Sequence, residues 1–259
     1  MIPALWISKT GLDAQQTNIS VTSNNLANAS TVGFKRGRAV FEDLLYQKIN
    51  QPGGRSSADS YLPEGLMIGS GAKVVATQRQ FSQGDVETTD NSFDLMIQGR
   101  GFFEIELPDG TTAYTRNGQF TKNEEGTIVT SGEGYPLLPQ IQVPDNATSL
   151  TVGRDGQVSV VLANDTASQD LGQITVTDFI NPTGLESIGD NLYLETTASG
   201  APQQGIGGMG VIRQNMLETS NVKVTEELVN LIQAQRVYEM NSKVLTTVDS
   251  MMGSLIQSV

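Results

Sequence analysis

The chain has 259 residues, with 28 acidic against 16 basic side chains and a formal net charge of −12. It contains no cysteine and no histidine, which excludes thiol nucleophiles, disulfides, zinc-type clusters and imidazole acid–base catalysis. We therefore expect no cofactor and no metal ion. Most of the negative charge lies between residues 51 and 220, and an acidic chain lacks the basic surface that nucleic acid requires.

Targeting signals are the next feature that the sequence limits. No segment reaches the roughly 18 consecutive apolar residues of a membrane span, so we expect no direct membrane insertion. The N-terminus does not match a cleavable secretory signal, because Lys9 and Asp13 interrupt its apolar stretch. If the protein leaves the cytoplasm, it does so by a route that reads the mature chain.

The N-terminal segment, residues 1–29, has apolar residues every seven positions. Heptad spacing predicts a helix whose apolar stripe needs a partner helix. Asn, Thr, Ser and Gly fill much of the remainder, and these are weak helix formers, so we expect the isolated helix to fray and to form only when packed. Gly33 is placed to end this helix or the turn after it.

Residues 30–71, together with residues 197–221, are interpreted as a connecting region of extended or β structure. The apolar and acidic stretch from Val40 to Ile49 suggests a short helix within it. Residues 50–65 contain a Pro-Gly-Gly run at Pro52 and read as an extended or loop-like segment.

From residue 72 to residue 196 the apolar period changes to two. Phe103, Ile105 and Leu107 share one strand face, which ends at a Pro-Asp-Gly turn. A Gly-Arg-Asp-Gly sequence at residues 153–156 predicts a hairpin between two further strands. Short strands separated by Gly, Asp and Asn turns predict an outer antiparallel β domain.

The C-terminal segment, residues 222–259, repeats the heptad pattern, in a helix expected to begin at Thr225. Together the segments predict an α+β fold: N- and C-terminal helices paired as a coiled coil, a central antiparallel β domain and an extended connecting region. The polar faces of both helices are sparsely charged, which favours contact with neighbouring copies over an ordinary helix pair that only covers the β domain. The predicted assembly-interface residues are Leu5, Leu12, Ile19, Leu26, Leu228, Leu231, Leu245, Met252 and Leu255.

Three other patterns have weaker functional interpretations. The Gly-x-Gly-x-x-Gly match at residues 205–210 is interpreted as linker, since no helix follows it directly. The segment from Asp90 to Asp94 favours a turn over a calcium loop. Glu104 and Glu106 lie on one strand face, where a solvated surface is favoured over a carboxylate pair of a glycosidase. We predict no catalytic residue.

The motif from Asn24 to Lys35 resembles the rod and hook axial proteins of the bacterial flagellum. Their signature is an Asn-Asn-x-Ala-Asn-like run that leads into Thr-x-Gly-Phe-Lys. The similarity continues through residues 94–103, 114–120 and 217–229, and residues 5–16, 41–46, 62–66 and 184–189 are typical of distal-rod members. The residues that match the family motif are Asn24, Asn25, Asn28, Gly33, Phe34 and Lys35.

The resemblance implies a non-enzymatic, self-assembling subunit of the distal rod, a helical tubular drive shaft that transmits torque from motor to hook and encloses the export channel. It implies an inner helical layer, and partners that comprise other copies, proximal-rod proteins, hook protein, P-ring and L-ring proteins and the flagellar type III export apparatus. The implied location is the basal body, from periplasm to outer membrane. Two alternatives are a proximal-rod or hook subunit and, in another class, a peptidoglycan hydrolase that uses Glu104 or Glu106.

Overall fold

The computed structural model describes residues 2–50, 64–163, 167–204 and 210–257. The chain forms two compact units. The first, which we call the helix unit, comprises Met1–Ala27, Gly37–Gln78 and Lys223–Val259, and the second, the β unit, comprises Asn28–Arg36 and Arg79–Val222. The chain passes from one unit to the other after Ala27, Arg36, Gln78 and Val222.

The helix unit contains the two terminal helices that the heptad patterns predict. Helix α1 spans Ile2–Ala27 and helix α2 spans Val224–Gln257. Glu226 and Glu227 lie in the first turn of α2, where the helix dipole favours carboxylates. The predicted start at Thr225 is one residue late, because the helix begins at Val224 and the backbone N–H of Glu227 donates to the Lys223 carbonyl at 3.0 Å.

Four strands complete the helix unit. They pair as two-stranded sheets, β1 with β4 and β2 with β3. The short helix suggested between Val40 and Ile49 is absent, since these residues belong to β1, β2 and the connection between them. Residues 51–63 of the predicted extended segment lie outside the described residues. The strands are β1 Gly37–Asp43, β2 Gln47–Asn50, β3 Leu66–Ile68 and β4 Ala72–Arg79.

The strands of the β unit pair antiparallel, as the period-two pattern predicts. The largest sheet has the order β16-β17-β8-β7-β15-β18, with β11 also paired to β7, and a second sheet has the order β12-β13-β14. Three pairs, β9 with β10, β6 with β19 and β5 with β20, complete the unit. A 3-10 turn spans Pro182–Gly184. The strands are β5 Val86–Thr88, β6 Leu95–Gln98, β7 Phe102–Glu106, β8 Thr112–Thr115, β9 Phe120–Lys122, β10 Ile128–Thr130, β11 Leu137–Leu138, β12 Ala147–Val152, β13 Gln157–Leu162, β14 Ser168–Gln173, β15 Val176–Asp178, β16 Glu186–Gly189, β17 Leu192–Leu194, β18 Gln203–Gln204, β19 Val211–Gln214 and β20 Met216–Glu218.

Strand β7 separates the two hydrophobic clusters of the β unit. Phe103 and Ile105 point into the larger cluster, against which Leu107 also packs, so the predicted strand face is confirmed. Phe102, on the other face, packs with Tyr114 and Phe179 in an aromatic cluster of edge-on rings. Because both faces of β7 are covered, the β unit has a core of its own.

The turns that link these strands follow the sequence signals. The hairpin at residues 153–156 is closed by a hydrogen bond from the Gly153 N–H to the Gln157 carbonyl at 2.8 Å. The Pro-Asp-Gly turn after β7 is closed by Leu107 and Thr111. Between Asp90 and Asp94 the Asn91 amide donates to the Asp94 carboxylate at 2.9 Å, which makes this segment a turn as predicted.

Candidate assembly surface and buried polar sites

Helices α1 and α2 of the helix unit pack antiparallel along a seam of small and polar side chains. Asn25 Nδ2 donates to Glu227 Oε2 at 3.2 Å, and a Cβ added at Gly11 would lie 3.0 Å from Asn241 Nδ2. Gly11 precedes Asn25 by fourteen residues on α1, and Asn241 follows Glu227 by fourteen residues on α2, so the two helices run in opposite directions. Ala234 and Val248 share the heptad position of Glu227 and Asn241, and Ser8 and Thr22 lie three residues before Gly11 and Asn25; all four are buried, and we include them in the seam.

A second surface of α2 is apolar and exposed. On a helical projection its residues cluster roughly 120° around the axis from the seam. Met240 is 59% exposed and Val229 is 53% exposed, which is unusual for large apolar side chains on a helix. A helix that is apolar on several sides is normally buried, so this surface is a candidate interface. We call it the α2 stripe, and its residues are Val229, Ile232, Met240, Val244 and Met251.

The residues predicted to form the interface are neither fully buried nor part of the α2 stripe. Leu5, Leu12, Ile19 and Leu26 are all half-buried along α1. On α2, Leu231, Leu245 and Met252 are half-buried beside the seam, Leu228 is 42% exposed, and the side chain of Leu255 lies outside the described residues. Their roles as contacts between copies stay a prediction.

The helix unit has little hydrophobic core of its own. Among its described residues, the buried hydrophobic side chains are Ala14, Ala39, Ala234 and Val248. Its strands instead expose large apolar side chains on β1 to β4 and the connection from β1 to β2. Apolar surface of this extent marks an interaction site rather than a monomer surface. The exposed residues are Val40, Phe41, Leu45, Tyr46, Ile49, Leu66, Met67, Ile68 and Val75.

The β unit contains a buried ion network around Glu218. Lys35 Nζ lies 2.5 Å from Glu218 Oε1, and Arg116 Nη1 lies 3.2 Å from Glu218 Oε2. The Gly84 N–H also donates to Oε1, and Lys35 donates to the Ser82 carbonyl at 2.9 Å. These charged side chains are almost fully buried, so each depends on the others for compensation.

The environment of this network disfavours isolated charge. Burial lowers the pKa of Lys35, and the Glu218 carboxylate opposes that shift by favouring the ammonium form. Burial likewise lowers the pKa of Arg116, whose guanidinium lies 5.4 Å from the centroid of the Phe102 ring. Burial also raises the pKa of Tyr193. The network is therefore a structural element of the β unit, with no group exposed for chemistry.

The family-motif residues hold the chain by backbone contacts and buried contacts. Gly33 has φ +73°, and a Cβ there would lie 2.7 Å from the Asn117 backbone nitrogen, so only glycine fits. Phe34 lies under the Arg79 guanidinium at 5.0 Å. Asn28 accepts a hydrogen bond from the Thr31 hydroxyl at 3.2 Å, and Asn24 is exposed on α1.

The solvated surface predicted for Glu104 and Glu106 is wrong for Glu104, which is 7% exposed. Its Oε1 accepts hydrogen bonds from the Thr177 hydroxyl and from Gln204 Nε2. The alternation of apolar residues predicts which residues share a strand face, but not which other strands pack beside that face. Here Thr177 of β15 and Gln204 of β18 contact Glu104. Glu106 accepts a hydrogen bond from Gln140 at 3.0 Å. The glycine pattern at residues 205–210 falls largely on residues 205–209, which lie outside the described residues.

Within the described ranges, no group of three or more acidic side chains is arranged to hold a metal ion. No helix among those residues has the length and apolar character that crossing a membrane requires.

Sequence reasoning did not single out the partners of the motif residues. Glu218 accepts hydrogen bonds from Lys35 and from Arg116, and Glu227 accepts one from Asn25. The available signal was position: Glu218 and Arg116 lie inside other segments that resemble the axial proteins, although more than 80 residues from Lys35. A buried lysine needs an anion, but that requirement does not single out Glu218 among the 28 acidic residues of the sequence.

Three segments of the chain match models of flagellar protein families. Residues 6–35 match the family model described as "Flagella basal body rod protein", residues 96–160 match "Flagellar hook protein FlgE/F/G D1 domain", and residues 213–258 match "Flagellar basal body rod FlgEFG protein C-terminal". Among solved structures, the Helicobacter pylori flagellar hook protein FlgE2 is 17% identical over 71% of this chain and 43% of its own, with a TM-score of 0.25, too low to compare folds.

Curated relatives match over the whole chain. The flagellar basal-body rod protein FlgG of Buchnera aphidicola from Schizaphis graminum is 53% identical over 99% of this chain and 100% of its own. In Caulobacter vibrioides, FlgG is 48% identical over 98% of both chains, whereas FlgF is 34% identical over 95% of both. Between these two rod proteins of Caulobacter vibrioides, the chain is therefore more similar to FlgG than to FlgF.

These matches define a class of protein, the structural axial proteins of the flagellar rod and hook. Within that class, the chain belongs to the family of the flagellar basal-body rod protein FlgG. It is a structural subunit of the flagellar distal rod, located in the basal body, and it is not an enzyme.

Proposed function

We propose that copies of this chain assemble through their helix units into a helical tube, and that the tube is the drive shaft that transmits torque from motor to hook. The observation that carries the proposal is the helix unit itself, whose described residues bury Ala14, Ala39, Ala234 and Val248 while exposing the α2 stripe and the apolar strand surfaces. Burial of apolar surface is the main favourable term in association. Neighbouring copies that pack on the α2 stripe and on the strand surfaces would bury them.

In the assembled shaft, the helices of residues 1–29 and 222–259 form an inner coiled-coil layer around the export channel. Residues 30–71 and 197–221 form a connecting region, and residues 72–196 form the outer β domain. Sparse charge on α1, where Lys9 and Asp13 are the charged residues, supports an inner location, because few charged groups then need to be desolvated. The interface side chains include Leu5, Leu12, Ile19, Leu26, Leu228, Leu231, Leu245, Met252 and Leu255.

The proposed partners are proximal-rod proteins below, hook protein above, and the P-ring and L-ring proteins around the shaft. The flagellar type III export apparatus delivers the chain without a cleavable signal, to a site between periplasm and outer membrane. Termini that order only on assembly suit passage through a narrow channel, since they offset their ordering entropy by burying apolar surface at the destination.

Residues 47–66 are proposed as a rod-specific contact that stiffens the shaft. The segment begins with β2 and ends at Leu66, the first residue of β3; the two strands pair antiparallel and their residues are exposed, with Ile49 at 57% and Leu66 at 52%. An isolated hairpin is marginal in water and gains stability by packing on another surface. If deletion of residues 47–66 leaves the straightness and length of isolated rods unchanged, this contact does not exist.

A double substitution in the α2 stripe, Val229→Ser with Met240→Ser, tests the assembly proposal. We expect the concentration needed for assembly to rise at least about tenfold, because each lost apolar contact costs about 1–2 kcal/mol. The matched control is Gln235→Ser with Glu239→Ser, at exposed positions of the same helix outside the stripe. Sedimentation of both variants over a concentration series decides the matter, and equal assembly of both would contradict the proposal.

A further inference from the structure

We infer that Asn25 and Glu227 form a register lock, a buried polar pair that fixes which turn of α1 lies beside which turn of α2. Both side chains are 1% exposed, and the hydrogen bond between them joins residues 202 positions apart in the sequence. This role goes beyond assembly, because it concerns the pairing of two helices within one chain.

Asn25 is held on two sides at once. Its Nδ2 donates to the Gly37 carbonyl at 2.8 Å and to Glu227 Oε2 at 3.2 Å, while its Oδ1 accepts from the Gly37 N–H at 2.8 Å. The Asn25 amide thus pairs with both backbone groups of Gly37, as a neighbouring strand would, and fixes the end of α1 against the start of β1. The bond to Glu227 then sets the first turn of α2 at the same level.

The apolar columns cannot set this level by themselves. Leu5, Leu12, Ile19 and Leu26 repeat every seven residues, and so do Leu231, Leu245 and Met252 with Tyr238 between them. A slide of one helix by seven residues therefore restores nearly the same apolar neighbours. In coiled coils, a buried polar residue removes this kind of degeneracy by making every other register unfavourable.

Either slide separates the polar pair. In one direction Asn25 becomes level with Ala234, while Glu227 passes the last residue of α1. In the other direction Glu227 becomes level with Asn18, while Asn25 passes the first residue of α2, Val224. Each slide breaks the buried hydrogen bond between Asn25 and Glu227, which lowers the population of the slid register roughly tenfold to a hundredfold.

Double electron–electron resonance between spin labels on exposed positions measures the register directly. The chain has no cysteine, so Ser23→Cys with Lys243→Cys gives two specific labels, both on exposed residues of the helix unit. In the observed register these positions are separated along the helix axis by about 21 Å, and a slide of seven residues changes that separation by about 10 Å. Measurement on assembled rods, in which labelled chains are diluted with an excess of unlabelled chain, reports distances within one chain in the state where the proposed function has both helices ordered.

We expect one distance in the labelled chain. We expect the same distance in a control with Thr22→Val, which removes a different buried polar group of the seam. Asn25→Leu with Glu227→Leu keeps the helices apolar and helical, and we expect a second distance shifted by about 10 Å. Glu227→Gln alone keeps an oxygen that accepts from the Asn25 amide and leaves both bonds to Gly37 intact, so it should retain the single distance. A broad distribution in the labelled chain, or one unshifted distance in the Leu variant, would overturn the register lock.

Discussion

The two units of this chain solve the problem of stability in different ways. The β unit buries Phe103, Ile105 and a wide set of apolar side chains, and it neutralises its buried cations on Glu218. The helix unit buries Ala14, Ala39, Ala234 and Val248, and it exposes the α2 stripe. A unit with its own core can be stable alone, whereas one that buries only small side chains relies on further copies. Under the proposed function, the same chain combines a body with its own core and ends that depend on assembly.

The largest expected effect concerns the ion network of the β unit. Glu218→Ala leaves two buried cations without their anion, so we expect a loss of about 3–5 kcal/mol in the unfolding free energy of the β unit. The matched control is Lys122→Ala, which removes a pair whose Asp145 partner is 89% exposed and which contributes about 0–1 kcal/mol. Urea unfolding of both variants measures the difference. Equal losses would mean that the β unit does not depend on this network.

A smaller loss is expected at Gly33. Alanine there must adopt φ near +73° and place its Cβ 2.7 Å from the Asn117 backbone nitrogen, so Gly33→Ala should destabilise the β unit by about 2 kcal/mol or more. Gly132 has open space around it and no positive φ, which makes Gly132→Ala the control. Thermal unfolding of the two variants tests this contrast, and a Gly33→Ala variant as stable as the control would refute it.

In the helix unit, replacing a helical glycine by alanine should raise the stability of the helix rather than lower it. Gly253 lies in α2 with nothing within 4 Å of an added Cβ, so Gly253→Ala should stabilise that helix by about 1 kcal/mol. At Gly11 the Cβ would meet Asn241 Nδ2 at 3.0 Å, and part of the same gain is offset by the shift of that side chain. Circular dichroism at 222 nm on the monomer should therefore rank Gly253→Ala above Gly11→Ala in helix content. The reverse order would be inconsistent with the seam.

A pH dependence is also expected in the β unit. Burial, reinforced by the Glu104 and Glu195 carboxylates, raises the pKa of Tyr114 to about 12, against 10.0 for an ordinary phenol. The unfolded chain releases this proton first, so the contribution of Tyr114 is complete below pH 10 and declines as the pH rises to 12. Unfolding free energies from pH 9 to 12 should fall less steeply in Tyr114→Phe. Identical slopes would show that the phenol is not buried in this way.

Much of the fold could be predicted from the sequence because it depends on short-range pattern. The heptads that contain Leu12 and Leu231 indicate helices, the alternation of Phe103 and Ile105 indicates a strand, and Gly153 with Gly156 indicates a hairpin. These signals are local: a helical period is defined within about 11–18 residues and a strand alternation within about 4–8.

The errors occurred where distant segments decide the outcome. Residues from Val40 to Ile49 form strands because β4 and β3 pair with them, which a window on that stretch does not contain. Glu104 is buried because Thr177 and Gln204 cover it. The register of α1 on α2 likewise rests on one hydrogen bond between positions 25 and 227, which the repeating leucines do not specify.

The most direct test of the difference between the units is amide hydrogen exchange on the monomer and on assembled rods. We predict that amides of the β unit, such as those of β7, are protected in both samples, since their core is complete. Amides of α1 and α2 should exchange quickly in the monomer and become protected only in the rod. Helices in the monomer protected as strongly as β7 would contradict the claim that the helix unit depends on neighbouring copies.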